Sequence, residues 1–338
     1  MGDGLYLSRD AGKTWKTMGS ITKTGCYELM DAIRERLRLY SDPKTGFRPG
    51  AKDPQLNVLF DSNDLEQLRA DGSYKEMLST INSTGIMIVD TEFVDETTLQ
   101  RIGCKPRTAP GTVEIVQVGD IKGNVMFFRT MMDCRVAHQC DCNPYTPCRP
   151  RSSCPRVINF AQHQFWEARA EYDIYGVHLP DEVKSLLSDT SIFKTQLGIK
   201  SSGSNWGDIE RLEALTGLSI GPFLELQNLM TVVYPQVGVT KRRCNLEFLC
   251  EQLNVEPPEK VLRDRDSPRR RAFLIDRRKE WQNFTLAEKY FDLVDCLVPA
   301  LFLLKVSSLI VEREKTVINT TNVLPLDCRS QLLFANLC

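Results

Sequence analysis

Three extended segments in close succession, residues 85–93 (GIMIVDTEF), 113–121 (VEIVQVGDI) and 124–132 (NVMFFRTMM), constrain this chain more than any other feature. Each is rich in β-branched and aromatic residues, which fit a pleated surface better than a helix. The second and third meet at Lys122-Gly123-Asn124, a short turn that folds them back on each other as a hairpin. Helix and strand then alternate. Residues 181–187 read as an amphipathic helix with Pro180 at its start, where a missing N–H costs least. A strand follows at 193–199 (FKTQLGI), then a helix at 205–215, an extended piece at 223–226 and further helices up to Val311. Three antiparallel strands followed by alternating helix and strand make an α/β fold, a mixed sheet with helices on both faces.

The rest of the chain is arranged around that sheet. With 338 residues there is length for one large domain or two ordinary ones, and we divide it into an arm or small cap at 1–80, a main domain at 81–312 and a tail at 313–338. The arm carries a helical pattern at 27–40 and a Pro/Gly-rich break at 42–54. Ser8, Asp10, Gly12 and Trp15 reproduce the Asp-box turn of β-propellers, but the motif has meaning when it repeats once per blade. A single copy leaves a lone hairpin, an arm or a chance match.

Residues 293–311 (LVDCLVPALFLLKVSSLIV) have the length of a membrane span. Asp295, Pro299 and Lys305 are each costly in hydrocarbon, so we expect a buried helix and no membrane contact. No secretory pattern follows Met1, and 12 cysteines in 338 residues are too sparse for a disulfide scaffold. An intracellular protein of the nucleus or cytoplasm is expected, and the sequons at Asn82, Asn283 and Asn319 are then chance matches. With 43 basic against 44 acidic residues the net charge is −1, which excludes a globally basic surface.

Asp90 and Glu92 stand two apart at the carboxyl end of an apolar strand, so strand alternation puts both on one face. A strand that simply ends there, with both acids solvated, is the alternative for an isolated Asp-x-Glu. Two further acids bear on the choice. Asp208 lies where a Gly/Ser turn enters a helix (GIKSSGSNWGDIERL), with Leu212 one turn later to hold that helix on the sheet. Asp295 lies in the final, largely apolar helix. Four acids at such positions point to a shared cation site, because like charges gather where something positive neutralises them.

With those residues in place, the layout resembles the 3′-5′ exonuclease domain of the ribonuclease D and Werner-type group, in the DEDD superfamily. The likeness runs over residues 80–312 or so and rests on IMIVDTEF, VEIVQVGDIKGNVMFF, SIFKTQLGIKSSGSNWGDIERLEALTGLSIGPFLEL and the Asp-bearing last helix, with Trp281 upstream of it. It implies a ribonuclease H-like fold and a two-metal hydrolysis of nucleic acid to nucleoside 5′-monophosphates. Two Mg²⁺ or Mn²⁺ ions about 4 Å apart would activate water and neutralise the pentavalent phosphate. Hard cations of this kind take carboxylate and water oxygens. By similarity Asp90 would bridge both ions, Glu92 and Asp295 would complete the site that holds the attacking water, and Asp208 would serve the other ion, partly through water. The implied partners are single-stranded RNA or DNA 3′ ends.

One position departs from the pattern. Active members carry Tyr or His four residues before the last Asp, whereas this chain has Phe291, and Tyr290 is turned away by one helical step of about 100°. None of His138, His163 and His178 lies where the group places its general base. Two functions follow: a metal-dependent exonuclease, or a degenerate exonuclease domain used as a nucleic-acid-binding or scaffolding module. The insertion at 133–156 carries Cys134, His138, Cys140, Cys142, Cys148 and Cys154, a set able to hold tetrahedral Zn²⁺, although free thiols on a surface loop account for it equally. A basic strip with Arg269, Arg270, Arg271, Arg277, Arg278 and Lys279 suits a phosphate backbone, or is a solvated loop.

Overall fold

The computed structural model describes residues 6–7, 16–17, 23–42, 53–59, 65–94, 112–129, 179–198, 207–234, 245–258 and 284–319. Strands β1 (Tyr6–Leu7) and β2 (Lys16–Thr17) pair antiparallel as a small hairpin; the Asp-box residues between them lie outside the described residues. Helix α1 (Lys23–Ser41), strand β3 (Leu56–Leu59) and helices α2 (Leu65–Ala70) and α3 (Gly72–Thr84) come next. Strands β4 (Ile86–Val94), β5 (Thr112–Gly119) and β6 (Val125–Arg129) follow. Then come α4 (Asp181–Ser188), β7 (Phe193–Gln196), α5 (Asp208–Thr216), β8 (Phe223–Glu225), α6 (Leu226–Val233), α7 (Leu246–Leu253) and α8 (Leu286–Asn319).

Six strands form one sheet in the order β3-β6-β5-β4-β7-β8. β5 runs antiparallel to both of its neighbours, while the β3–β6, β4–β7 and β7–β8 pairs are parallel. A mixed sheet of this order, with β4 central and one reversed strand beside it, is α/β and agrees with the ribonuclease H-like architecture expected above. The expected elements sit close to their predicted bounds, with β7 ending sooner, at Gln196, and α5 starting later, at Asp208.

Alternation along β4 divides the interior in two. Ile86 and Ile88 pack with α1, α6, α7 and α8, whereas Met87 and Val89 pack with α2, α3, α4 and α5. Because both faces are covered, the strand reads as an unbroken apolar run. α8 is the centre of the first layer: Leu293, Val294, Leu297, Val298, Ala300, Leu301 and Phe302 are all inaccessible to solvent. A helix that is apolar on every side is one surrounded by protein. No helix among the described residues is long and apolar enough to cross a membrane. α8 continues to Asn319, into the stretch read from sequence as the tail.

Local chemistry fixes the strand entries. Asp71 caps α3 by accepting from the Ser73 and Tyr74 N–H groups, and Gly85, with φ +71°, ends that helix and turns the chain into β4. The β5–β6 turn is built on Asp120, whose carboxylate accepts from Lys122 N at 2.9 Å, Asn124 N at 3.0 Å and Asn124 Nδ2 at 2.9 Å. Gly123 in that turn has φ +89°, and a Cβ there would stand 2.9 Å from Ile33 Cγ1 of α1. Thr285 and Glu288 form a reciprocal cap at the start of α8, each side chain accepting from the other residue's N–H.

Within the stretch 1–80, set apart above as an arm or small cap, α1, β3, α2 and most of α3 belong to this same sheet and its helical layers. Cys26, Met30, Ile33, Leu37 and Tyr40 of α1 are buried against the layer that contains α8. Arg36 forms a buried ion pair with Asp53, ahead of β3, and also donates to the Gly123 carbonyl.

Candidate metal centre

Strand alternation delivers the first two acids. Asp90 and Glu92 continue the face of Ile86 and Ile88 toward α8, which carries Asp295. Asp90 is the middle residue of β4, and the strand runs on past Glu92 to Val94 rather than ending at the two acids. One carboxylate oxygen from each of Asp90, Glu92 and Asp295 lies within 4.8 Å of the others, and all three residues are half-buried. An all-carboxylate, partly exposed donor set of this kind suits a hard cation such as Mg²⁺ or Mn²⁺. Three like charges so close together are costly without a positive partner.

Asp208 stands apart from that trio. It is the first residue of α5, on the opposite face of the sheet, where Leu212 is fully buried and Ile209 nearly so. Thr91 points to that face, between the two acids of β4, and its Oγ1 donates to Asp208 Oδ1 at 2.6 Å. Burial pushes the Asp208 carboxyl up to about 7; the Thr91 hydroxyl and the Arg211 guanidinium pull it back down, and the charge of Glu92 adds to the rise. The four acids expected at one site are therefore three together and a fourth within electrostatic reach, held by Thr91.

Two glutamines that the sequence reading did not single out connect these elements. Gln117, cross-strand partner of Asp90 on β5, is fully buried and donates from Nε2 to Glu92 Oε1 at 3.1 Å. Its Oε1 accepts from Cys296 Sγ at 3.7 Å, next along the chain from Asp295. Gln196, at the end of β7, donates from Nε2 to the Asp295 carbonyl at 2.8 Å. A polar residue on the inward face of an apolar strand was the signal available for Gln117; its partners, far off in sequence, gave none.

Phe291 lies one helical turn before Asp295, half-buried against the α8 layer. Tyr290 is buried, and its hydroxyl is engaged, donating to the Glu256 carbonyl. His138, His163 and His178, the six possible zinc ligands, the basic strip with Arg269 to Arg271 and Arg277 to Lys279, and Trp281 lie outside the described residues.

No family model and no curated protein matches the sequence. Among solved structures the chain is similar to Escherichia coli RNase D, an exoribonuclease involved in structured RNA processing, with 13% identity and a TM-score of 0.41. That likeness covers 82% of this chain and 50% of the other, so the chain spans about half the length of that relative. It is also similar to the RNase domain of the yeast Pop2 protein (12% identity, TM-score 0.37, covering 77% of this chain and 90% of that one). A third is the EXD2 exonuclease domain soaked in Mg (14% identity, TM-score 0.30, covering 80% and 100%).

Proposed function

We propose that the chain is a metal-dependent 3′-5′ exonuclease that shortens single-stranded RNA or DNA to nucleoside 5′-monophosphates. The observation that carries the reading is the meeting of Asp90, Glu92 and Asp295 oxygens within 4.8 Å between the central strand and α8. The motif resemblance of the sequence supports it. Asp90, Glu92 and Asp295 would hold the ions, with Asp208 assisting from its place beside Thr91. Bound ions would supply a water of lowered pKa and neutralise charge on the phosphate. The chain's own residues do the rest. Gln117 fixes the Glu92 carboxylate through its amide, and the Thr91 hydroxyl favours the ionised form of Asp208 by donating to it.

Purified protein with Mn²⁺ and end-labelled oligonucleotides tests this directly: a ladder shortening from the 3′ end is expected. Asp90→Ala should abolish turnover while leaving the melting transition in place, and residual cleavage by that variant would sink the reading.

A second reading rests on Phe291, which can neither orient nor deprotonate water, and on the engagement of the Tyr290 hydroxyl with Glu256. On that reading the domain binds nucleic acid without cutting it, and the same assay gives a mobility shift and no ladder. For the insertion at 133–156 we propose bound Zn²⁺, which predicts stoichiometric zinc by elemental analysis after chelator-free purification; its absence assigns free thiols instead.

A further inference from the structure

α8 contains Pro299 in its interior. Proline has no N–H, and its ring crowds the carbonyl of the residue four positions earlier, so a helical proline deprives that carbonyl of its donor. Four positions before Pro299 is Asp295, one of the three acids of the candidate metal centre. The backbone that carries this ligand therefore lies at the one point in the helix where the regular hydrogen-bond ladder is interrupted by chemistry.

Gln196 meets that interruption. Its Nε2 donates to the Asp295 carbonyl at 2.8 Å from the end of β7, the strand next to β4. The orientation of its amide is fixed by both ends. Oε1 accepts from Leu197 N at 2.8 Å, so only one of the two flips gives a donor to the carbonyl and an acceptor to the N–H. The residue is almost completely buried, and water is a poor substitute at that position.

We propose that Gln196 is a positioning residue for Asp295: its side chain supplies the hydrogen bond that Pro299 removes, and so sets the backbone from which the Asp295 carboxylate reaches Asp90 and Glu92. This inference rests on the reading of that trio as a divalent-cation site. Gln196 touches neither metal nor substrate; it acts through the helix. The pairing explains how a proline is accommodated one turn beyond a ligand, where a kink would otherwise move the carboxylate relative to the sheet. It also ties the site to a strand, the more rigid kind of support.

A double-substitution cycle tests it, using the full chain. Wild type, Gln196→Ala, Pro299→Ala and the double variant are titrated with Mn²⁺ by electron paramagnetic resonance, and each is melted without metal. Gln196→Ala should weaken Mn²⁺ binding by about tenfold or more, as loss of a ligand's support commonly does. Pro299→Ala restores the N–H at position 299. It should leave affinity near wild type by itself, and return it when added to Gln196→Ala, because the helix then bonds the Asp295 carbonyl internally.

A merely structural role for Gln196 would give the same loss in both backgrounds, and that result, or an unchanged affinity in Gln196→Ala, overturns the proposal. If Gln196→Ala does not fold alone, folding and Mn²⁺ binding regained with Pro299→Ala support it, and failure in both backgrounds counts against it. The wild-type titration separates the two claims. No Mn²⁺ uptake by wild type would defeat the metal-site reading and this inference together, whereas uptake that is insensitive to Gln196 would defeat this inference alone.

Discussion

Asp120 holds the β5–β6 turn with three accepted hydrogen bonds, yet its carboxyl is pushed up to about 6, because burial outweighs the donors from Asn124 and Lys122. The sign of its effect on stability follows. Between the ordinary value near 4 and about 6 the folded protein binds more protons than the unfolded chain, so this group's contribution falls as pH rises through that window. A shift of this size corresponds to at most about 3 kcal/mol. Urea unfolding of wild type and Asp120→Asn at pH 4, 5, 6 and 7 should show the gap between them moving in the variant's favour as pH rises. A constant gap would mean that the turn's donors keep the carboxylate ionised at low pH. The same scale shows where the sequence stopped being legible at the site. Asp90, Glu92 and Asp295 were readable because period-2 alternation and an acid in an apolar helix both leave a mark in one sequence. Thr91 left none, since a threonine in a strand is ordinary until α5 is known to bring Asp208 to its face. Gln196 and Asp295 are 99 residues apart, and no local pattern joins them.

At the scale of elements, β4, β5 and β6 were visible in the sequence because β-branched runs and a glycine-centred turn specify strands without help from the rest of the chain. β3 was not: four residues in a Pro/Gly-rich neighbourhood carry too little periodicity, and an edge strand is defined by its pairing with β6. α1 was visible as an amphipathic helix, but its pattern gives a face and not the surface that face meets. The contact can be weighed through two glycines. Gly123 and Gly217 both have positive φ, +89° and +71°, so alanine at either strains the backbone, by about 1 kcal/mol. A Cβ at Gly217 meets nothing within 4 Å, whereas at Gly123 it stands 2.9 Å from Ile33 of α1. Gly123→Ala should therefore cost about 1–3 kcal/mol more than Gly217→Ala in chemical denaturation. Equal costs would show that α1 yields at that point and is a loosely applied element, closer to the arm read from sequence.

At the scale of the whole molecule the question is what residues 23–84 contribute to the sheet they border. α1 places five apolar side chains, Cys26, Met30, Ile33, Leu37 and Tyr40, in the layer built around α8. At about 1.5–3 kcal/mol for each large apolar side chain buried, that contact is worth on the order of 10 kcal/mol. Typical domains have a net stability of about 5–15 kcal/mol, so the loss is comparable to the whole. Removing α1 would also leave Asp53 without Arg36 and take the cover from the Gly123 turn. Removing β3 would turn β6, whose Val125, Met126, Phe127 and Phe128 are buried, into an open apolar edge. A chain starting at residue 81, the boundary that composition suggests, should accordingly aggregate or bind a hydrophobic dye without a cooperative melt. A chain starting at residue 20 keeps α1, β3 and α3 and should melt as the full chain does. Mn²⁺ binding follows the same division, since the trio of acids is held between β4 and α8 and α8 is seated by α1. A cooperative melt with intact Mn²⁺ uptake in the chain from residue 81 would show that the sheet closes around α8 without its amino-terminal partner.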